Sequence, residues 1–472
     1  MPILVFVSSH YGPANLTLLD SIRGTLFSEQ RAFVESIPLT YYWLYLWIVV
    51  PVGAIYFLRQ KQRARAPVAV RVTSLIIAAT IAFYWAHFRA IRNAESAFQL
   101  VVVDRLGSYQ PLGLPISLLL FKLDAGGASQ ALQQREAFDF GAKRDPQLDN
   151  IVFVVGESSR ADHWSLNGYG RRTTPSLNVI PNVISFSNIV SLAPNTSLSW
   201  PFLFTIKQAG DSTYWPSNKS FIQAFKEAGY DTYFVSFYID KNYRWMDPLV
   251  LITLEAECVT NGCANVCQPT DIAMLPAIRE VLSRKGPKLV VISTQGSHPG
   301  FSRTCPLEYN TFQPSVLTEK RSPETFINGY DDSILMTDDF LSSIIATLQY
   351  SRSVLFYVSD HGLALYDGGG RASGQAFIKG EYRPACVVWA SDRFLDNAAR
   401  QARFDLGRQH AGAAVTTDYI LHSFLDLCGV QTKKLDPAKS LFSADLAPPK
   451  ECLVEDFHGH WCRFADVPFS GN

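Results

Sequence analysis

The chain has 472 residues, of which 47% are hydrophobic, 18% charged and 13% aromatic. That is too apolar for a disordered protein and leaner in charge than most soluble domains. Lys plus Arg and Asp plus Glu both number 42, so the basic excess of a nucleic-acid binder is missing and no nucleic acid is expected as partner. The charge is unevenly spread, which keeps a membrane in play.

Residues 40–58 (TYYWLYLWIVVPVGAIYFL) and 72–88 (VTSLIIAATIAFYWAHF) carry no Asp, Glu, Lys or Arg. Runs near 20 residues match the roughly 30 Å of bilayer hydrocarbon. Tyr41, Tyr42, Trp43, Tyr84 and Trp85 lie near their ends, where amphipathic rings suit the interface. Two buried core helices are the alternative. The connector RQKQRARAPVAVR argues against it, because Arg59, Lys61, Arg63, Arg65 and Arg71 stand there without an acid. By the positive-inside rule that loop is cytoplasmic and both outer flanks lie across the membrane. Residues 1–7 are too short to span and lack the features of a secretory signal, which suggests that further spans precede this chain.

Residues 91–149 read as an interfacial segment and linker. Within them LGLPISLLLF (112–121) is short and Pro-broken, suited to lying on a membrane surface. From about residue 150 short β-branched runs alternate with helical segments: IVFVV (151–155), ISFSNIV (184–190), DTYFVSF (231–237), KLVVIS (288–293), VLFYVS (354–359) and ACVVWA (385–390). SFIQAFKEAG, DIAMLPAIREVLSR and DDSILMTDDFLSSIIATLQ are the helix candidates between them. This alternation predicts an α/β, doubly wound sheet. Of the eight cysteines, Cys258, Cys263 and Cys267 are close together, and Cys452 and Cys462 bracket the tail. They read as buried thiols, as half of a zinc site, or, outside the cytoplasm, as disulfides.

Ligands of open α/β sheets bind beyond the carboxyl ends of strands. Glu157 follows the first strand, Asp360 and His361 follow VLFYVS, and His298 comes a few residues after KLVVIS. Taken singly, an acid there reads as a helix cap and a histidine as structural. Converging on one rim, they suit a catalytic zinc with an open position.

The strings VVGESSRADHWSLNGYGRRTTPSL, STQGSHPGFSRTCP, NGYDDSILMTDDFL, FYVSDHG and TTDYILHSFLDLCGV resemble, in family order, the membrane-bound phosphoethanolamine transferases of the alkaline phosphatase/sulfatase superfamily. LLDSIRGTLFSEQRAFVESI also looks like the loop before the last two of that family's spans, which implies a chain lacking about three of them. The resemblance implies an alkaline phosphatase/sulfatase-like sheet preceded by transmembrane helices. It divides the chain into an extracytoplasmic loop (1–39), two transmembrane helices with a cytoplasmic basic loop (40–90), the interfacial segment and linker (91–149), and a periplasmic catalytic domain (150–472). A monomer in the bacterial inner membrane is the expected state.

By the same resemblance Glu157, Asp360 and His361 match zinc ligands. The family's nucleophile is a threonine that also ligates Zn2+. SLAPNTSLSWPFLF departs from the Gly-Thr-x-Thr of lipid A-modifying members, and an ungapped match puts the usual threonine on Pro194, which cannot react. The Pro-x-Thr arrangement resembles members that modify the lipopolysaccharide core and selects Thr196. Ser158 and Ser197 are the other candidate nucleophiles, and Thr196 could instead only cap the following helix. His298 matches a histidine that assists the substrate phosphate or a second metal. Arg383 stands near a further family histidine, removing a ligand but supplying a fixed charge for phosphate. Cys263 and Cys267 match a family disulfide, whereas the pair usually found before NGYDD is absent.

The implied activity moves phosphoethanolamine from phosphatidylethanolamine to lipopolysaccharide (lipid A or core) or another envelope glycan. Phosphoglycerol transfer, phosphohydrolysis and a metal-free envelope scaffold are the alternatives. A sulfatase activity is not expected, because no Cys/Ser-x-Pro-x-Arg motif occurs.

Overall fold

The structure, a computed structural model, describes residues 133–144, 148–211, 217–237, 248–259, 270–301, 305–314, 322–367, 377–456 and 459–469. All belong to the unit Gly126–Asn472. The two apolar runs with their basic connector, the interfacial segment at 112–121, and Cys263 with Cys267 lie outside the described residues. Among the described residues no helix is long and apolar enough to cross a membrane.

Seven strands form the main sheet: β1 (Asn150–Gly156), β2 (Val183–Ser185), β3 (Asp231–Val235), β4 (Glu257–Cys258), β5 (Lys288–Ser293), β6 (Ser353–Ser359) and β7 (Cys386–Ala390), in the order β2-β7-β6-β1-β5-β3-β4. β1 is central and pairs in parallel with β5 and β6. β3 extends the parallel set beyond β5, and the two-residue β4 closes that edge. β7 runs antiparallel to β6, and β2 antiparallel to β7. The sheet is therefore mixed. The predicted run 184–190 is divided: its first part is β2, while Ile189–Val190 pairs with Val415–Thr416 in a separate ribbon.

Period-2 alternation sends β1 side chains to two cores, as a sheet covered on both faces requires. Ile151, Phe153 and Val155 join one apolar cluster, and Val152 and Val154 the other. On the first face lie α1 (Thr196–Phe204), α2 (Phe221–Glu227) and α6 (Ile420–Leu427), with α5 (Ala398–Gln409) contributing Phe404. There the Phe153 ring meets those of Phe204, Phe221, Phe356 and Phe424 at centroid distances of 4.7–5.6 Å. On the second face lie α3 (Leu275–Ser283) and α4 (Pro323–Leu348).

Helix α4 begins eight residues before the predicted DDSILMTDDFLSSIIATLQ. Ser322 and Thr325 form a reciprocal capping box and Pro323 occupies the first turn, where its missing N–H costs nothing. That extra length includes Tyr330, whose hydroxyl reaches the turn after β1. Part of the predicted linker is docked on the domain: the N–H groups of Phe140 and Ala142 donate to Glu227, and Lys143–Arg144 pairs with Val430–Gln431. Cys452 and Cys462 are free thiols. In the ribbon Leu453–Glu455/Trp461–Arg463, Cys462 sits opposite Val454.

Candidate active site

Adjacent parallel strands end level with one another, so the residues just past β1 and β6 become neighbours 203 positions apart in sequence. Glu157, Asp360 and His361 each offer a ligand atom, and these atoms lie within 4.8 Å of one another. His361 Nε2 is 3.4 Å from Glu157 Oε1 and 3.6 Å from Asp360 Oδ2. The other ring nitrogen, Nδ1, lies 2.7 Å from the Gly362 carbonyl. A carbonyl only accepts, so Nδ1 carries the proton and Nε2 presents a lone pair to the cluster.

Asp360 is fully buried. Its Oδ1 accepts the N–H groups of Ser158 (3.2 Å) and His361 (2.8 Å), while Oδ2 has no hydrogen-bond partner. An orphaned buried carboxylate oxygen is costly unless something cationic meets it. Burial, then the Glu157 charge, pushes the Asp360 carboxyl up to about 7. Burial works against the imidazolium of His361, but Asp360 and Glu157 outweigh it and raise its pKa. Burial likewise opposes ionisation of Glu157, yet His361, His298 and the Ser158 and Thr196 hydroxyls prevail and its pKa falls. Two carboxylates and one imidazole around an unpaired oxygen form a donor set that fits a zinc ion.

Thr196 reaches the cluster from a different direction. Its Oγ1 donates to Glu157 Oε2 at 2.8 Å and lies 3.4 Å from His361 Nε2. The helix cap is its neighbour: Asn195, at φ −145° and ψ 160°, accepts the Leu198 N–H at 2.9 Å. Thr196 is therefore the first helical residue and its hydroxyl is released from capping. Ser158 also touches the cluster, donating to Glu157 Oε1 at 2.6 Å. Ser197 has no bond to Glu157, Asp360 or His361 among the described contacts.

The turn after β1 is held tightly. Ser158 has φ 58°, a left-handed conformation that a side chain disfavours. A Cβ on Gly156 would stand 2.4 Å from the Tyr357 hydroxyl, and one on Gly296 2.9 Å from the Glu157 carbonyl. These glycines let β6 and the loop after β5 close on the turn, where the Ser297 N–H donates to the Glu157 carbonyl at 2.9 Å. The same loop carries His298. Its Nδ1 lies 3.0 Å from the Pro299 carbonyl, and its charge reaches Glu157 without a hydrogen bond. Arg383 leads into β7. Its guanidinium donates to Asn188 Oδ1 at 3.0 Å and lies over the Phe464 ring at 5.2 Å, apart from the hydrogen bonds of the cluster. Asn195 and Tyr330 have contacts that motif reading did not assign. An asparagine before an apolar helical run was the available signal for the first, and NGYDD for the second.

Residues 149–430 match the sulfatase family. The chain is 30% identical over 284 residues to phosphatidylethanolamine transferase Mcr-1 of Escherichia coli, covering 53% of this chain and 49% of the relative. It is 24% identical over 308 residues to the Kdo(2)-lipid A phosphoethanolamine 7''-transferase of Escherichia coli strain K12, covering 61% and 53%. The chain thus spans about half the length of these curated relatives. Among solved structures, the fold resembles the integral membrane lipooligosaccharide phosphoethanolamine transferase A of Neisseria meningitidis, with TM-score 0.70, 20% identity, and 95% and 85% of the two chains covered. It also resembles the zinc complex of the periplasmic domain of EcEptC from Escherichia coli, with TM-score 0.62, 20% identity, and 70% and 96% covered.

Proposed function

Because this chain belongs to the sulfatase family, we propose that it is a zinc-dependent phosphoethanolamine transferase with Thr196 as nucleophile. The observation that carries this reading is the Thr196 hydroxyl, spared from capping by Asn195 and set between Glu157 Oε2 and His361 Nε2 beside an unpaired Asp360 oxygen. Relatives named as a phosphatidylethanolamine transferase and as a Kdo(2)-lipid A phosphoethanolamine 7''-transferase support the substrate class. The donor on this reading is phosphatidylethanolamine, and the acceptor is lipopolysaccharide (lipid A or core) or another envelope glycan. The catalytic domain faces the periplasm from the inner membrane.

Glu157, Asp360, His361 and Thr196 would hold the zinc. A bound zinc ion supplies Lewis acidity, lowering the hydroxyl pKa and stabilising charge on phosphoryl oxygens. Thr196 Oγ attacks the phosphorus, the bond from phosphorus to the diacylglycerol oxygen breaks, and a phosphoethanolamine-threonine forms. The threonine proton has Glu157 Oε2 within reach at 2.8 Å. His298 gives a proton to the departing diacylglycerol oxygen, and Arg383 contributes positive charge for the phosphate. A hydroxyl or phosphate of the acceptor then attacks the same phosphorus, and the threonine oxygen leaves with its proton restored.

Mass spectrometry of lipopolysaccharide from cells with and without the protein tests the reading. A phosphoethanolamine increment that requires Thr196 is expected. An unchanged profile, with the protein folded and zinc-loaded, would refute the assignment of lipopolysaccharide as acceptor.

A further inference from the structure

Tyr330 is 0% exposed in the N-terminal third of α4, and its hydroxyl crosses to the turn after β1. There it makes two bonds of 2.7 Å, donating to the Ser158 carbonyl and accepting the Arg160 N–H. It thus closes a loop around Ser159 and holds the carbonyl of Ser158, whose φ of 58° is strained for a side chain. Such a conformation persists only where the surroundings over-determine it. Of the other restraints, the Ser158 N–H donates to Asp360 Oδ1 at a longer 3.2 Å, while the Ser159 N–H donates to Ser359 Oγ and the Ser159 carbonyl accepts from Ala385, both at 2.8 Å. Only the Tyr330 hydroxyl, among the described contacts, binds main-chain groups on both sides of Ser159.

The geometry points to Tyr330 as the positioning residue that sets the aim of Glu157. If the pin is released, Ser158 can relax from φ 58°, and that rotation swings the Glu157 side chain relative to Asp360 and His361, which directly follow β6. Glu157 then meets the ligand cluster with the wrong orientation, and zinc binds less tightly. A phenol fits this task because it combines a buried ring with a group that donates and accepts at once. The ring itself packs against His163 at 5.3 Å and Phe301 at 6.2 Å, so removing only the oxygen leaves the packing in place.

This role rests on the zinc reading of the site, and the test separates the two. Zinc affinity is measured on the full chain by competition with a chromophoric chelator, in buffer with sucrose to hold destabilised variants folded. Tyr330→Phe should weaken zinc binding by about 10–100-fold, the range seen when a group supporting a metal ligand is lost. Ile334→Val, one turn along α4 and equally buried, loosens the same core without touching the turn and should leave the affinity unchanged. Equal affinities for wild type and Tyr330→Phe would overturn the positioning role while the zinc site stands. No zinc binding by wild type would remove the site reading itself. A second measurement uses wild type alone: the Arg160 amide, bonded to the Tyr330 oxygen, should exchange with solvent as slowly as the core strands. Fast exchange there in the folded chain would overturn the proposal.

Discussion

Replacing Asp360 by Asn should move metal-free stability and metal affinity in opposite directions. In the fold the carboxyl is pushed up to about 7, against 3.8 for an ordinary aspartate. The folded state therefore binds more protons than the unfolded state between about pH 4 and 7. Stability of the metal-free protein falls as pH rises through that window, and at pH 7.5 the charge costs at most about 4 kcal/mol. Glu157 shares the same proton balance and recovers part of it, so neutralising Asp360 should return about 1–3 kcal/mol, or roughly 2–6 °C in Tm. Asparagine keeps an oxygen for the Ser158 and His361 N–H groups, and its NH2 replaces the unpartnered Oδ2 3.6 Å from His361 Nε2. The same NH2 cannot ligate a cation. Thermal unfolding of the full chain after chelation should show Asp360→Asn above wild type at pH 7.5, with the difference shrinking toward pH 4. Added zinc should raise the wild-type Tm, by about 2.7 kcal/mol of stability at a hundredfold excess over Kd, and leave the variant unmoved. An Asp360→Asn protein that is less stable than metal-free wild type, or that still gains from zinc, would refute this account of the cluster.

Thr196→Ala should abolish transfer, whereas Ser158→Ala and Ser197→Ala should leave measurable turnover; mass spectrometry of a trapped adduct should place phosphoethanolamine on residue 196. Asn195→Ala should cost about 1 kcal/mol in urea unfolding and also slow transfer, because the Thr196 hydroxyl becomes the nearest substitute cap. Asp332 is pushed up to about 6, burial being the main cause, while its Oδ1 accepts the Thr311 and Phe312 N–H groups. The folded state thus holds the extra proton between about pH 4 and 6, and wild-type stability declines as pH rises through that window. Asp332→Asn keeps both bonds and should gain about 1–3 kcal/mol at pH 7.5 and none at pH 3.5 in a Tm-versus-pH series.

Central strands were legible as short β-branched runs bounded by turn residues, because burial on both faces demands continuous apolar side chains, whereas the edge run 184–190 is divided. Residues 151–155, 288–293 and 354–359 all lie within strands. The grouping of Glu157, Asp360 and His361 was legible for the same reason: once strands are parallel, residues just past their ends must share a rim, and the three do lie together. Strand direction was not legible. ACVVWA reads alike whichever way it runs, and only pairing with β6 makes β7 antiparallel. Nor could local chemistry decide between Asn195 and Thr196, since both residue types cap helices well. The backbone dihedrals of Asn195 settle it, and they depend on how the chain leaves Ile189–Val190 and enters α1. Tyr330 is the extreme case. At helical spacing a buried aromatic reads as core, and nothing local shows that its oxygen will meet Ser158, 172 residues earlier in the chain. Periodicity fixes which face of an element is buried; which polar atoms meet across the core is decided only when the elements pack.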